Sequence, residues 1–340
     1  MRIALDAMGG DNAPDAIIAG AIEALEHMDE DDEIVLVGPK ESVMEHLSCP
    51  QRYRDRVHIV HAPDVISMDA APVESLRKKP KSSISVLAKL AKQGEADAII
   101  SAGNTGACVV AFQMRMRNLP GVNRPGIAVV LPTFGGAITV CDVGANIACK
   151  PLNLYQYCVM AAIHTECVVG TKNPRVAIMS IGQEAAKGNE IVKKTRELIE
   201  ADPSVNFVGN VEGRDIFNGV CDVVVCEGFV GNVILKLTEG LVEGLFKSIK
   251  HELMQETLRL AVKFKPIITR IYKKYDYTEY GGAPLLGVNG SAFICHGSSK
   301  EKTIRNAVLS AKKHHTFKIN DKIIDALSRT PVGTSNGQPR

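Results

Sequence analysis

The stretch "RIALDAMGGDNAPDAIIAGAIEAL", residues 2–25, joins a short apolar run, a glycine turn and a segment whose apolar residues have helical spacing. This order predicts a strand over Arg2–Asp6 and a helix over Pro14–Met28. A strand that leads through a glycine turn into a helix is typical of α/β folds, where the helix N-terminus can bind an anion. The turn nevertheless carries three carboxylates: Asp6, Asp11 and Asp15. The groups that would hold an anion here must therefore come from elsewhere.

The rest of the chain continues this alternation of Val- and Ile-rich runs with longer segments of helical period. The further predicted strands are Glu33–Gly38, Val57–His61, Asp97–Ala102, Gly126–Leu131, Ala137–Asp142, Arg175–Ile181 and Asp222–Glu227. The further predicted helices are Ser82–Gln93, Gly106–Arg115, Leu152–Cys167, Glu184–Glu200, Gly231–Lys250 and Lys300–Lys313. Such alternation predicts an α/β protein with a doubly wound, mostly parallel sheet. "LPTFGGAITV", residues 131–140, has a Gly-Gly turn between strand-like runs and predicts an antiparallel hairpin added to that sheet.

Length and composition indicate one globular α/β domain over residues 1–330, because 45% of the 340 residues are hydrophobic. The polar residues 331–340 predict a disordered tail. A net charge of +2 argues against a general nucleic-acid binder. We see no signal peptide or transmembrane segment, and nine cysteines without metal-ligand spacing indicate reduced thiols in the cytoplasm. We therefore expect no metal.

Glycine turns follow five of the predicted strands, with the sequences "DAMGGDNAPD", "GNTGA", "VGANIACKP", "GQEAAKGNE" and "GFVGN". Ligands of open α/β sheets bind beyond the carboxyl ends of the strands, so we expect these turns to form a site rich in neutral donors. The predicted substrate-binding residues are Gly9, Gly10, Asn104, Thr105, Asn146, Asn189 and Asn232. Helix capping is the alternative for Asn104 and Thr105, and turn formation is the alternative for Asn146 and Asn232.

Several common catalytic motifs are absent from the sequence. The first loop lacks G-x-G-x-x-G spacing, and Asp11 would repel a pyrophosphate, which argues against a dinucleotide cofactor. The sequence contains neither a P-loop nor a G-x-S-x-G elbow. We therefore expect no cofactor and no covalent nucleophile from the protein.

Several of these stretches together resemble a known family. They are "ALDAMGGDNAP", "SAGNTGA", "DVGAN", "CKP", "KGNE", "FVGNVEGRDI", "GFVGNVILK", "YGGAPLLGVNG" and "HGSS", which span residues 4 to 299. The chain resembles the PlsX family of bacterial phosphate acyltransferases, which make acyl phosphate from acyl-acyl-carrier-protein and inorganic phosphate for phospholipid synthesis. Three positions differ from the residue that is most common in the family's motifs: Ala148, Gln183 and Glu227.

The resemblance implies a three-layer α/β/α fold, shared with isocitrate and isopropylmalate dehydrogenases and with phosphotransacetylases, and a homodimer. It implies acyl-acyl-carrier-protein and inorganic phosphate as substrates. The product would pass to the membrane glycerol-3-phosphate acyltransferase PlsY. The alternatives are a phosphotransacylase that uses acyl-CoA and a non-catalytic regulator that binds acyl carrier protein or membrane.

This chemistry needs a bound phosphate, donors for the tetrahedral oxyanion and a proton for the departing thiolate. With the family resemblance, Lys187 is the first candidate for a catalytic cation, on the phosphate or on the carbonyl oxygen. His296 is the candidate acid for the thiolate, with a buried structural histidine as the alternative. Asp6 is expected to point into the site and orient a donor such as Lys187 or an asparagine.

The acids of the first loop have a second interpretation, as caps and turn formers. We expect Asp11 or Asn12 to cap the helix that begins at Pro14. On either interpretation the acidic side chains do not bind the anion; they hold the loop or the groups that bind it.

A basic segment, "LRLAVKFKPIITRIYKK" over Leu258–Lys274, lies outside these loops. Its predicted contact residues for a membrane or carrier protein are Arg259, Leu260, Lys263, Phe264, Ile267, Ile268, Arg270 and Ile271. Apolar residues at helical spacing, interrupted by Pro266, and six cations without an acid predict a protruding basic amphipathic hairpin. The protein would then be cytoplasmic and bind anionic membranes peripherally. The alternative is an ordinary helix pair that faces the core.

Overall fold

The computed structural model describes residues 1–255, 258–275 and 277–329. The predicted disordered tail, residues 331–340, lies outside the described residues. Within the described part, one sheet of eleven strands extends through the molecule. The strands are β1 Arg2–Asp6, β2 Glu33–Gly38, β3 Val57–His61, β4 Ala98–Ser101, β5 Gly126–Thr133, β6 Gly136–Cys141, β7 Val176–Met179, β8 Phe207–Val211, β9 Val223–Val225, β10 Ala283–Leu286 and β11 Ser291–Ile294.

The α-helices pack on both faces of this sheet. They are α1 Asp15–Ala24, α2 Lys40–His46, α3 Pro72–Lys78, α4 Ser83–Gln93, α5 Thr105–Met116, α6 Pro151–His164, α7 Glu190–Glu200, α8 Gly228–Gln255, α9 Leu258–Lys274, α10 Glu301–Thr316 and α11 Ile319–Arg329. The predicted α/β class and doubly wound sheet are confirmed.

The sheet contains two parallel blocks that run in opposite directions. Its strand order is β3-β2-β1-β4-β11-β10-β5-β6-β9-β7-β8. The first five strands are parallel, and so are the last four. The steps from β11 to β10, β5 and β6 are all antiparallel. The carboxyl ends of the two blocks therefore lie at opposite ends of the strands, so the five glycine turns that were expected to form one site do not all lie at one edge of the sheet.

Buried side chains explain why the strands read as continuous apolar runs. In β1, Ile3 and Leu5 pack against α1 and α10, while Ala4 packs on the opposite face against α4. Strands of a parallel sheet are buried on both faces, so apolar residues occupy successive positions without alternation. All nine cysteines are free, and most are buried, as expected for reduced thiols.

The predicted hairpin is present between β5 and β6. Thr133 pairs with Gly136, so the turn residues are Phe134 and Gly135 and not the two glycines. The strands β8, β10 and β11 were not predicted. They are four or five residues long and lack the continuous Val- and Ile-rich runs from which the other strands were predicted.

The long helices α8 and α9 differ from the prediction for the basic segment. α9 is one helix of 17 residues that continues through Pro266, so the segment is not itself a hairpin. α9 packs against the 28-residue α8, where the ring centroids of Phe246 and Tyr272 lie 5.0 Å apart. No helix in the described ranges is both long enough and apolar enough to cross a membrane.

Candidate active site

The loop after β6 is built around the carboxylate of Asp142. This side chain is fully buried and accepts hydrogen bonds from four backbone N–H groups, of Ile127, Gly144, Ala145 and Asn146, at 2.7–3.1 Å. Burial raises the pKa of the Asp142 carboxyl, and these hydrogen bonds oppose that shift. One side chain thus gives the "VGAN" loop its conformation.

The N-terminus of α8 packs directly on this loop. The Gly228 N–H donates to the Asn146 carbonyl at 2.7 Å, and a Cβ at Gly231 would overlap the Asp142 carbonyl oxygen. Glu227 caps the helix, since its carboxylate accepts from the N–H groups of Phe229 and Val230. Glu227 is one of the three positions that differ from the family motifs, and it still supplies a capping carboxylate.

A second buried carboxylate, Asp6, is the last residue of β1. It is buried and accepts from the Ser101 hydroxyl at 2.8 Å and from the Met8 N–H at 3.2 Å. The Ser101 hydroxyl in turn accepts from the Gly103 N–H, which holds the loop after β4. Burial raises the pKa of the Asp6 carboxyl. The prediction that Asp6 orients Lys187 or an asparagine is therefore wrong, because its partner is a serine.

The first glycine loop contacts the loop after β11. The Asn12 amide donates to the carbonyls of Ser298 and Ser299, and the Asp11 N–H donates to Gly297. Pro14 occupies the N-cap position of α1 and no side chain caps the helix there. The prediction that Asp11 or Asn12 caps this helix is therefore wrong, since Asn12 instead joins two loops.

Gly9 and Gly10 form the floor of this contact. A Cβ at Gly9 would lie 2.6 Å from the Gly103 N atom and 2.8 Å from Asp6 Oδ2. Gly10 has a φ of +96°, and a Cβ there would lie 2.8 Å from the Gly297 carbonyl oxygen. Both positions require glycine because the loops after β1, β4 and β11 approach backbone to backbone.

His296 lies at the surface of the same group of loops. Its Nε2 atom lies 2.7 Å from the Lys236 ammonium of α8, and its Nδ1 atom lies 2.7 Å from the Ser298 hydroxyl. The residue is exposed, so the alternative of a buried structural histidine is wrong. Lys236 also pairs with Glu239 at 3.0 Å. α8, which begins beside the "VGAN" loop, thus reaches the loops of the other block.

Two of the predicted asparagines are engaged in the framework. Asn104 caps α5 by accepting from the Ala107 N–H, and its amide group faces the carbonyls of Ser67, Met68 and Ala70. The capping alternative is thus confirmed for Asn104. The buried Asn146 amide donates to the Pro125 carbonyl at 2.6 Å and to the Tyr157 hydroxyl at 2.8 Å. Neither side chain keeps a free amide hydrogen for a ligand.

Three other predicted donors remain exposed: Thr105, Asn189 and Asn232. Thr105 is the first residue of α5, and Asn189 caps α7 by accepting from the Val192 N–H. Asn232 lies over Gly144 and one turn before Lys236 on α8. These side chains can still donate to a ligand, so their substrate contacts stay predictions.

Lys187 lies in the loop between β7 and α7. Its aliphatic stem packs over Gly182, and its ammonium group is exposed with no hydrogen bond or ion pair to any described residue. The helix begins at Glu190, six residues later than predicted, because Lys187, Gly188 and Asn189 form the loop before it. In the same loop, the Gln183 amide donates to Asp215 at 3.0 Å. Ala148, in the loop between β6 and α6, is exposed.

A comparison with protein families matches residues 1–321 to the family described as Fatty acid synthesis protein. The chain belongs to this family. A protein named Phosphate acyltransferase from Desulfitobacterium hafniense is 49% identical over 317 residues, which cover 92% of this chain and 93% of that protein. A protein of the same name from Geotalea daltonii is 42% identical over 332 residues and covers 96% and 94%. The predicted family and the predicted enzyme class, an acyltransferase, are confirmed.

Solved structures support the fold of this family member. A phosphotransacetylase from Streptococcus pyogenes superposes with a TM-score of 0.62 at 15% identity, covering 93% of this chain and 94% of that one. A 4-hydroxythreonine-4-phosphate dehydrogenase from Klebsiella pneumoniae has a TM-score of 0.51 at 13% identity, with 93% and 97% covered. The predicted likeness to the phosphotransacetylase fold is confirmed.

Two residues that join these loops, Asp142 and Lys236, were not predicted as site residues. Asp142 was placed only at the end of the predicted strand Ala137–Asp142 and within "DVGAN". Lys236 was placed only in the predicted helix Gly231–Lys250 and within "GFVGNVILK". The spacing of four between Asn232 and Lys236 could have placed both on one face of a helix. No group of three or more metal-ligating side chains is found among the described residues.

The contact between α8 and the Asp142 loop predicts a difference between two glycines of one helix. Gly231→Ala should lower the free energy of unfolding by about 1–3 kcal/mol or more, since its Cβ meets backbone that cannot rotate away. Gly240 has open space beside it, so Gly240→Ala should leave the free energy of unfolding unchanged or raise it by up to about 1 kcal/mol. Chemical denaturation of both variants measures this. Equal stabilities would contradict the close packing.

Proposed function

We propose that this protein transfers a fatty acyl group from acyl-acyl-carrier-protein to inorganic phosphate and so supplies acyl phosphate for phospholipid synthesis. The observation that carries the proposal is the 49% identity, over 92% of the chain, to a protein named Phosphate acyltransferase. The strand-end loops agree with it, because their exposed donors suit an anionic substrate and a developing oxyanion.

The reaction needs no covalent nucleophile from the protein. A phosphate oxygen attacks the thioester carbon, the C–O bond forms, and the carbonyl oxygen becomes an oxyanion. The C–S bond then breaks, and the thiolate takes up a proton. Thr105, Asn189 and Asn232 are proposed as donors to phosphate or oxyanion, and Lys187 as a cation. His296 belongs to the proton path to the thiolate.

The donor is tested by incubating the protein with phosphate and either acyl-acyl-carrier-protein or acyl-CoA. We expect acyl phosphate, trapped as the hydroxamate, from the carrier-protein thioester and much less from acyl-CoA. Faster reaction with acyl-CoA would favour a phosphotransacylase. Binding of the carrier protein without any acyl phosphate would favour a non-catalytic regulator.

The catalytic role of Lys187 is tested by comparing its substitution with that of Lys193, on the helix that follows. Lys187→Met should lower turnover by about 100–1000-fold, the range for loss of one placed transition-state donor. Lys193→Met, an exposed residue of α7, should react as the wild type does. Both variants should keep the wild-type melting temperature, because both side chains lie at the surface. Wild-type turnover in Lys187→Met would contradict the role.

We also propose that the protein forms a homodimer through α8. α8 exposes an apolar residue at every fourth position: Phe229, Val233, Leu237, Leu241 and Leu245. Gly240 and Gly244, on the same face, have open space beside them. Small residues next to a leucine row allow two helices to approach closely, so this face suits a second copy of the chain.

The membrane contact is proposed for α9. Phe264, Ile267 and Ile271 are exposed on its apolar face, and Lys263 and Arg270 are exposed beside it. The side chains of the predicted contact residues Arg259 and Leu260 lie outside the described residues. Basic residues near an anionic surface contribute about 1 kcal/mol each, which permits reversible docking from the cytoplasm. Such docking would deliver acyl phosphate near PlsY.

Vesicle co-sedimentation tests this contact with single substitutions of equal charge. Phe264→Glu should abolish pelleting with anionic vesicles, because it places a charge in the apolar face. Thr269→Glu adds the same charge on the opposite side of α9 and should reduce pelleting only slightly. Equal loss in both variants would indicate an effect of net charge alone. Wild-type protein that never pellets would contradict membrane docking.

A further inference from the structure

We infer that Lys236 is a further catalytic residue, whose ammonium group binds the phosphate that attacks the thioester. The inference rests on the proposed function and names a residue of the same site. Lys236 is the cation that the described structure places in contact with His296. The Lys187 side chain, in contrast, makes no polar contact with the described residues.

The position of Lys236 follows from the path of α8. The helix begins beside the Asp142 loop, at the carboxyl ends of β6 and β9. Lys236 lies eight residues after Gly228, about 12 Å along the helix axis. At this distance from the Asp142 loop, its ammonium group meets His296, in the loop that follows β11.

The hydrogen bonds of Lys236 hold its ammonium group and leave one proton free. One proton is donated to His296 Nε2 at 2.7 Å and a second to Glu239 at 3.0 Å. An ammonium group has three protons, and the Lys236 side chain is 49% exposed. The third proton is therefore available to a ligand, while the other two fix its direction.

The same contacts fix the position of the His296 ring. On one side, Nε2 lies 2.7 Å from Lys236 Nζ. On the other side, Nδ1 lies 2.7 Å from the Ser298 hydroxyl and 3.2 Å from the Ser298 backbone nitrogen, whose N–H points at it. His296, held in this way by its own loop, acts as a positioning residue for Lys236.

Phosphate is the substrate that fits this cation. A lysine ammonium is a compact point charge with rotatable donors, which suits a tetrahedral anion. Asn232 lies one turn earlier on the same face of α8 and is exposed, so a phosphate at Lys236 gains a neutral amide donor. Glu239 compensates part of the lysine charge, which favours binding that is weak enough for turnover.

The kinetic test compares Lys236→Met with Lys247→Met. Lys247 lies on the same helix, is exposed and pairs with Glu243 at 2.8 Å, so it matches Lys236 outside the site. Lys236→Met should raise the KM for phosphate about 10–100-fold, as for loss of one charged hydrogen bond, and leave the KM for the acyl donor unchanged. Lys236→Arg should recover part of the loss, and Lys247→Met should match the wild type. An unchanged KM for phosphate in Lys236→Met would overturn the inference.

Equilibrium dialysis with labelled inorganic phosphate separates this inference from the proposed function, since it needs no turnover. Wild type and Lys247→Met should bind phosphate, and Lys236→Met should bind it at least about tenfold more weakly. That result supports Lys236 even if no acyl phosphate is formed in the assay. Equal binding by all three proteins, or no binding by the wild type, overturns it.

Nitrogen-15 NMR of histidine-labelled protein tests the positioning by His296. The Nε2 resonance of His296 should be the same in the wild type and in Lys247→Met. Lys236→Met should shift this resonance, because the ammonium group 2.7 Å from Nε2 is gone. An identical Nε2 resonance in all three proteins would overturn the contact between Lys236 and His296.

Discussion

The hydrogen bonds to the buried Asp142 carboxylate are the constraint on which the rest of the site depends. Burial of a charged carboxylate is costly, and four backbone N–H donors offset that cost only if the loop holds one conformation. That conformation places the loop backbone against α8 so closely that Gly231 has no room for a side chain. Asp6 does the same on a smaller scale through Ser101. The buried acids Asp142 and Asp6 thus position the backbone of the glycine loops.

The direction of the strands explains why α8 matters. Antiparallel steps between the two parallel blocks separate their carboxyl ends, so loops from the two blocks cannot meet along one sheet edge. α8 begins at one end and extends far enough to bring Lys236 to His296 at the other. The anchoring of α8 at the Asp142 loop and the place of Lys236 are therefore coupled. A shift of the helix start would move the cation relative to the histidine.

Much of the candidate site was predictable, but the roles of its residues often were not. The loops after the strands were found because glycine and asparagine follow apolar runs, and that signal is local. Asn104 and Asn146 were predicted as ligand donors, yet both hold backbone groups of other segments. An amide side chain looks the same in sequence whether it faces solvent or a distant carbonyl. Lys236 was missed for a similar reason, since its partner His296 lies 60 residues away.

The sequence by itself determined the α/β class, the first three strands to the residue and the family, because these depend on local periodicity and on motifs within short segments. It also indicated an amphipathic, basic α9. Only the tertiary structure decided the opposite directions of the two blocks, the partner of Asp6 and the contact between Lys236 and His296. Strand pairing and buried hydrogen bonds join residues far apart in the chain, and their free energy depends on the packing of the whole sheet. No pattern within a short window of sequence contains that information.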